Sequence, residues 1–204
     1  MDHTEKVTEE KIFEAAAEVF EEKGFAGTRM QEIADRAGIN KALLHYYYRT
    51  KEKLFDAVFS QLAGFMFQKL YACIDNDLPL EEKLKLFYKE HINFLRKHPG
   101  LPAFVVNEIN QHPERLLRVI GDDQIVAVRK KLFMQIDNEM KRGDIQEMDK
   151  MQLLMNIVAL SVFPFVAKGI IKAIIEEEDI EFDDFIEARK TELPSFIINA
   201  LKVR

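Results

Sequence analysis

The chain has 204 residues, 48 % of them hydrophobic, enough for the core of one domain or two small ones. Its 8 glycines and 6 prolines are few for a sheet-rich fold, and a single cysteine, Cys73, excludes an internal disulfide and a multi-cysteine zinc site. A net charge of −6 argues against a chain that is a nucleic-acid binder over its whole surface, yet between Arg36 and Lys53 five cations accompany one anion, which leaves the remainder at ten negative charges. A small basic head on an acidic body would show this asymmetry.

The polar, acidic N-terminus MDHTEKVTEEK is not a secretory signal. A first helix is predicted over 8–24, with Thr8 as its cap, Ile12, Ala16, Val19 and Phe20 as its buried stripe and Gly24 as its stop. Thr28 followed by Gln31 reads as a capping box, and Met30, Ile33, Ala34 and Ala37 give a second, short helix with one apolar face. Gly38 suits the left-handed position that closes it, Ile39 is a buried spacer, and Asn40 caps a third helix. Two short helices joined by a three-residue glycine turn make a helix-turn-helix, whose second helix enters the DNA major groove. Leu44 and Tyr48 point that helix inward, while Lys41, Ala42, Leu43 and His45 near its start are placed to touch base edges. Tyr46 and Tyr47 offer hydroxyls to phosphates, with Thr28 and Arg29 at the start of the preceding helix as further contacts. Thr50 caps the next helix and puts Lys51 in its first turn, where the helix dipole disfavours a cation; a phosphate held jointly by Lys51 and the helix amides would explain it.

This stretch resembles the TetR family of transcriptional regulators. The family pattern of Thr, Ile-Ala, Ala-Gly-Val, Leu-Tyr-Tyr-x-Phe and Lys-Glu-x-Leu is met by Thr28, Ile33-Ala34, Ala37-Gly38-Ile39, Leu44 to Tyr48 and Lys51-Glu52-Lys53-Leu54. His45 departs from the usual tyrosine, Tyr48 from phenylalanine and Leu43 from a small polar residue; positions 43 and 45 are among those expected to touch DNA, so the family pattern does not give the operator sequence.

A fourth helix is predicted from Thr50 to about Ile74, itself the link between a head (1–50) and a body (51–204). Pro79 opens a fifth helix carrying Leu80, Leu84, Phe87, His91 and Leu95 up to the break at His98-Pro99-Gly100. Pro102 opens a sixth, with Phe104, Val105, Asn107 and Ile109; residues 114–120 add a turn or two. Val128, Leu132, Ile136 and Met140 mark a seventh from Asp123 to Arg142, closed by Gly143. Asp149 caps an eighth that is apolar on nearly every face to Ile175, hence buried on several sides, with a kink at Pro164. A last helix starts at Asp183 or Asp184, with a second kink at Pro194. The longest apolar run, residues 157–167, is too short to span a bilayer, so a cytoplasmic protein outside the membrane is expected.

The expected fold is thus all-α, about nine helices, with a three-helix DNA-binding head on a larger ligand-binding and dimerisation body. Surplus apolar surface on the last two helices points to a homodimer, and the resemblance implies the same. Phe65, Phe87, Phe94, Phe104, Phe133 and Met155, with His91 and Asn107 as polar contacts, are candidates to line a pocket for a small apolar or amphipathic effector. Glu108 and His112 lack a third partner for a metal, no cofactor is implied, and no glycine-rich phosphate loop, nucleophile elbow or HExxH motif suggests an enzyme. The reading is a ligand-responsive regulator, a repressor by resemblance, on a palindromic double-stranded operator. A helical lipid-binding or adaptor protein is the alternative.

Overall fold

The computed structural model describes residues 3–114 and 123–203; the predicted turn of helix at 114–120 falls almost wholly outside them. Among the described residues there are ten helices and no strand: α1 (His3–Gly27), α2 (Met30–Ala37), α3 (Lys41–Tyr47), α4 (Lys51–Ile74), α5 (Leu80–Lys97), α6 (Leu101–Gln111), α7 (Asp123–Arg142), α8 (Lys150–Val166), α9 (Lys168–Glu176) and α10 (Phe182–Leu201). The all-α expectation holds, and the count exceeds nine because the run 149–175 is two helices.

The break lies at Ala167, three residues beyond Pro164, where the sequence predicts a kink. Pro164 has no amide proton to give the carbonyl of Leu160 one turn earlier. Arg189 of α10 supplies the bond instead, its Nη2 donating to Leu160 O at 2.6 Å. The chain stays helical through Val166, breaks at Ala167, and continues as α9 at 77° to α8. Among the described residues no single helix is long and apolar enough to cross a membrane; α8 and α9 meet that measure only as this bent pair.

Three predicted helix boundaries need correction. α1 is already helical at His3, so Thr8 lies inside it and does not cap it. Gly24, at φ 67° and ψ 178°, interrupts α1 without ending it, and one more turn follows to Gly27. The cap of α2 is Arg29, not Thr28, and no capping box forms: Thr28 is buried and its hydroxyl donates to Gly24 O at 2.7 Å, while Gln31 Nε2 donates to Asp35 Oδ1. Other signals are realised as read. Gly38 takes φ 68°, Asn40 Oδ1 accepts from Leu43 N, Thr50 Oγ1 accepts from Lys53 N, and Asp149 Oδ1 accepts from Gln152 N.

One core runs from head to body. α1 packs on α2, α4 and α6; α4 on α5 and α7; α5 on α10 and α8. Phe55 of α4 stands at the joint, fully buried, with its ring 4.9 Å from Phe20, 5.0 Å from Phe25 and 5.3 Å from Phe104.

The same joint carries a titratable contact. A Cβ at Gly100, between α5 and α6, would stand 3.2 Å from Glu21 Oε2 of α1, so glycine permits this approach. Burial, with Glu18 nearby, raises the Glu21 carboxyl from 4.5 to about 7; His98 Nδ1 lies 4.0 Å from it. A folded-state pKa above the unfolded value means the native state binds the extra proton, so this contribution to stability falls as pH rises from about 4.5 to about 7. His91 and His98, both lowered by burial, slope the other way. The expected result is that the unfolding free energy of the wild type minus that of Glu21→Gln declines across this interval in urea titrations; a flat difference removes Glu21 as the source.

Candidate nucleic-acid interface

α3 is a short helix with Leu44 as its buried anchor. Asn40 fixes its start, and the left-handed Gly38 sets its angle to α2, with Ile39 N donating to Ala34 O at 3.0 Å. The opposite side is open: Lys41, Ala42, Leu43, His45 and Tyr46 are exposed, Tyr46 at 75 %, and its ring meets the half-buried Tyr47 edge-on at 5.5 Å. His45 Nδ1 lies 3.2 Å from Arg49 O, and since a carbonyl can only accept, Nδ1 carries a proton there. In the neutral ring Nε2 is then an acceptor. Tyr48 turns inward and donates to Glu9 Oε1 at 3.4 Å, which ties the end of α3 to α1.

Two of the cations counted in the basic stretch are used inside the head. Arg36 makes two hydrogen bonds to Glu22 of α1, at 2.7 and 3.0 Å. Lys51 sends its ammonium back to Phe25 O at 2.9 Å and Thr28 O at 3.1 Å, and sits 4.4 Å from the centre of the Phe25 ring. This accounts for a cation in the first turn of α4 without a phosphate: it binds two carbonyls of the α1–α2 junction, one of which, Phe25 O, also accepts from Thr28 N at 3.4 Å. Lys51→Met is therefore expected to cost the fold about 1.5–3 kcal/mol, the usual worth of bonds from a charged donor. Wild-type stability together with a DNA-binding salt slope lowered by about one would return Lys51 to the phosphate backbone. Thr28, buried and bonded to α1, likewise belongs to the frame, while Arg29, the cap of α2, is exposed.

Of the effector candidates, Phe87, His91, Phe94 and Phe104 are buried in the core: Phe104 against Phe55 and Phe59, Phe87 against Tyr88 and His91, Phe94 against His98. His91, lowered by burial to about 4 and so neutral at pH 7, is bonded through Nδ1 to Ser161 Oγ at 3.1 Å. Phe133 is half-buried, Met155 is 49 % exposed, and Asn107 is exposed with its Oδ1 accepting from Gln111. The side chain of Phe65 lies outside the described residues. None of the other seven lines the cleft of about 780 Å³ at the far end of the body, where Lys83, Gln135 and Glu139 meet. Lys83 was legible as an anomaly, a charge inside the apolar stripe of Leu80, Leu84 and Phe87. Among the described residues no group of three or more His, Cys, Asp or Glu is placed to hold a metal ion.

Residues 12–58, which include α2, α3 and the residues around them, match the family described as bacterial regulatory proteins, tetR family. The HTH-type transcriptional regulator RutR of Escherichia coli K12 is 28 % identical over 148 residues, 72 % of this chain and 69 % of that one. The HTH-type transcriptional repressor NicS of Pseudomonas putida is 33 % identical over 107 residues, 52 % of this chain and 44 % of that one. In fold, a TetR family transcription regulator from Marinobacter aquaeolei VT8 superposes with a TM-score of 0.69 over the full length of both chains, at 19 % identity.

Proposed function

We infer, since this chain belongs to the TetR family of DNA-binding, ligand-responsive transcriptional regulators, that it acts as a homodimeric repressor in the cytoplasm, reading a palindromic operator with the open face of α3. The observation that carries this is the pairing of one buried anchor, Leu44, with an exposed run of Lys41, Ala42, Leu43, His45 and Tyr46 on a helix held at both ends. Residues 1–50 form the reading head, and 51–204 the effector-binding and dimerising body. Lys41, Tyr46, Tyr47 and Arg29 contact phosphates, which position the head; Ala42, Leu43 and His45 contact base edges, which specify sequence. With Nδ1 protonated, His45 Nε2 is suited to an exocyclic amine of adenine or cytosine.

The dimer forms through α8, α9 and α10. Phe163, Ile170, Ile174 and Phe196 are each more than half exposed on these helices, a concentration of apolar surface that a second copy would cover. Two heads on a rigid pair of bodies then match two half-sites. A ligand that prefers the arrangement with mismatched head spacing releases the operator. Nothing in this scheme requires catalysis.

Selection of binding sites from random duplex DNA at physiological salt tests the reading. One palindrome should be enriched, and Leu43→Ala or His45→Ala should change its preferred bases, at about 1–3 kcal/mol per position. No enrichment from a folded dimer would favour a helical lipid-binding or adaptor protein. Enrichment that both variants leave unaltered would move the reading surface off α3.

A further inference from the structure

At the end of the body remote from α3, the turn from Asn76 to Pro79, the last turns of α7 and the end of α10 enclose the cleft of about 780 Å³. Its floor carries two buried opposite charges, Lys83 at 3 % and Glu139 at 8 % exposure. Lys83 Nζ donates to Ile74 O at 2.8 Å and to Gln135 Oε1 at 2.6 Å. Gln135 Nε2 donates to Glu139 Oε1 at 2.8 Å, and Leu80 N donates to the same oxygen at 3.4 Å. Leu78, Pro79, Ile145 and Leu201 supply apolar wall.

The hydrogen-bonding capacity of this floor is not used up. An ammonium has three donors and a carboxylate two accepting oxygens. Among the described residues Lys83 uses two donors and Glu139 one oxygen. Most rim charges nearby are paired, Lys131 with Asp75 at 2.7 Å, Arg142 with Asp144 at 2.6 Å and Glu81 with Lys85 at 2.8 Å; the exposed Asp77 lies 4.0 Å from Lys131, and Lys202 donates to Asn199 Oδ1 at 2.8 Å. A simple anion entering here meets Lys83 but is repelled by Glu139, and a simple cation meets the reverse. A molecule carrying both charges a few bonds apart satisfies both.

We propose that this cleft binds a small zwitterion with an aliphatic portion, of the α-amino acid class, its carboxylate on Lys83, its ammonium on Glu139 and its side chain on the Leu78–Leu201 wall. Burial lowers the Lys83 ammonium from the usual lysine value, and an arriving carboxylate favours its charged form. The site sits on the lever of the molecule. Ile74 is the last residue of α4, a helix of 24 residues, about 36 Å long, whose other end is Lys51 in the head. A carboxylate drawing Lys83 away from Ile74 O loosens the far end of α4. This second step rests on the regulator reading above; the binding step does not.

The test is calorimetric titration of the full chain with L-leucine, L-valine and L-methionine, beside isocaproate, which lacks the ammonium, and isopentylamine, which lacks the carboxylate. At least one amino acid should bind, and its one-ended analogues should bind roughly tenfold or more weakly, the equivalent of one lost charged hydrogen bond. Glu139→Gln should weaken the amino acid and spare isocaproate. Asn138→Trp, which places bulk at the exposed mouth and leaves the floor intact, should abolish binding with the melting temperature unchanged. The proposal is overturned if no amino acid binds, if an analogue binds as well as its parent, or if Asn138→Trp binds as the wild type does. Titration of the selected operator, with and without the amino acid, tests the coupling separately. Binding of the amino acid that leaves operator affinity unchanged overturns the α4 coupling alone, and failure to select any operator overturns the regulator reading while calorimetry still judges the cleft.

Discussion

Phe55→Ala is expected to lower the unfolding free energy by ~3–5 kcal/mol, the range for removing a fully buried aromatic ring. The expectation rests on what the ring joins. Phe20 and Phe25 come from α1, Phe59 from α4 itself and Phe104 from α6, so the cavity left behind would open between head and body. The neighbours cannot collapse into it easily, because they sit on three different helices and share one contact. A loss of this size is a large part of the stability of a typical domain, about 5–15 kcal/mol. Urea unfolding followed by circular dichroism measures it. A loss below about 1 kcal/mol would mean that the joint repacks freely and that α4 is not rigidly seated in the head. DNA affinity should fall as well, because a head loosened on α4 no longer holds its spacing.

The second large effect concerns assembly. Ile170→Glu combined with Phe196→Glu should give a monomer, since each replacement places a charge where a second copy would otherwise seal apolar surface. Both side chains are 64 % exposed in the single chain, so its own fold should change by no more than about 0.5 kcal/mol. Losing the second head removes the intramolecular second binding event, worth ~10²–10⁴ in overall affinity. Sedimentation equilibrium and operator titration of the same sample separate the two consequences. A dimer that survives both glutamates would move the interface elsewhere; a monomer that keeps full operator affinity would show that one head suffices.

The helix-turn-helix was legible because each of its signals is local. Gly38 must occupy the left-handed region, Asn40 reaches an amide three residues on, and Leu44 is the apolar residue that α3 turns inward. Caps and periodicity depend on neighbours within one or two turns, and those neighbours are written beside one another in the chain. The all-helical body was legible for the same reason, from the stripes of α5 and α7 and the cap at Asp149.

What no local rule supplied was the use to which long side chains are put. Lys51 read as a phosphate contact and Arg36 as part of the basic stretch, yet one holds the carbonyls of Phe25 and Thr28 and the other holds Glu22, partners 26, 23 and 14 residues away. Arg189 repairs the hydrogen bond that Pro164 leaves open 29 residues earlier at Leu160. The aromatic residues of the body were equally ambiguous: composition allowed them to line a pocket, whereas packing joined Phe104 to Phe55 and left Met155 at the surface. The sequence by itself determined most of the helices, the Gly38 turn and the face that α3 presents, because backbone geometry answers largely to adjacent residues. Tertiary structure alone decided which charges are spent internally and where a cleft opens, because those depend on which distant carbonyl or carboxylate the folded chain brings within about 3 Å.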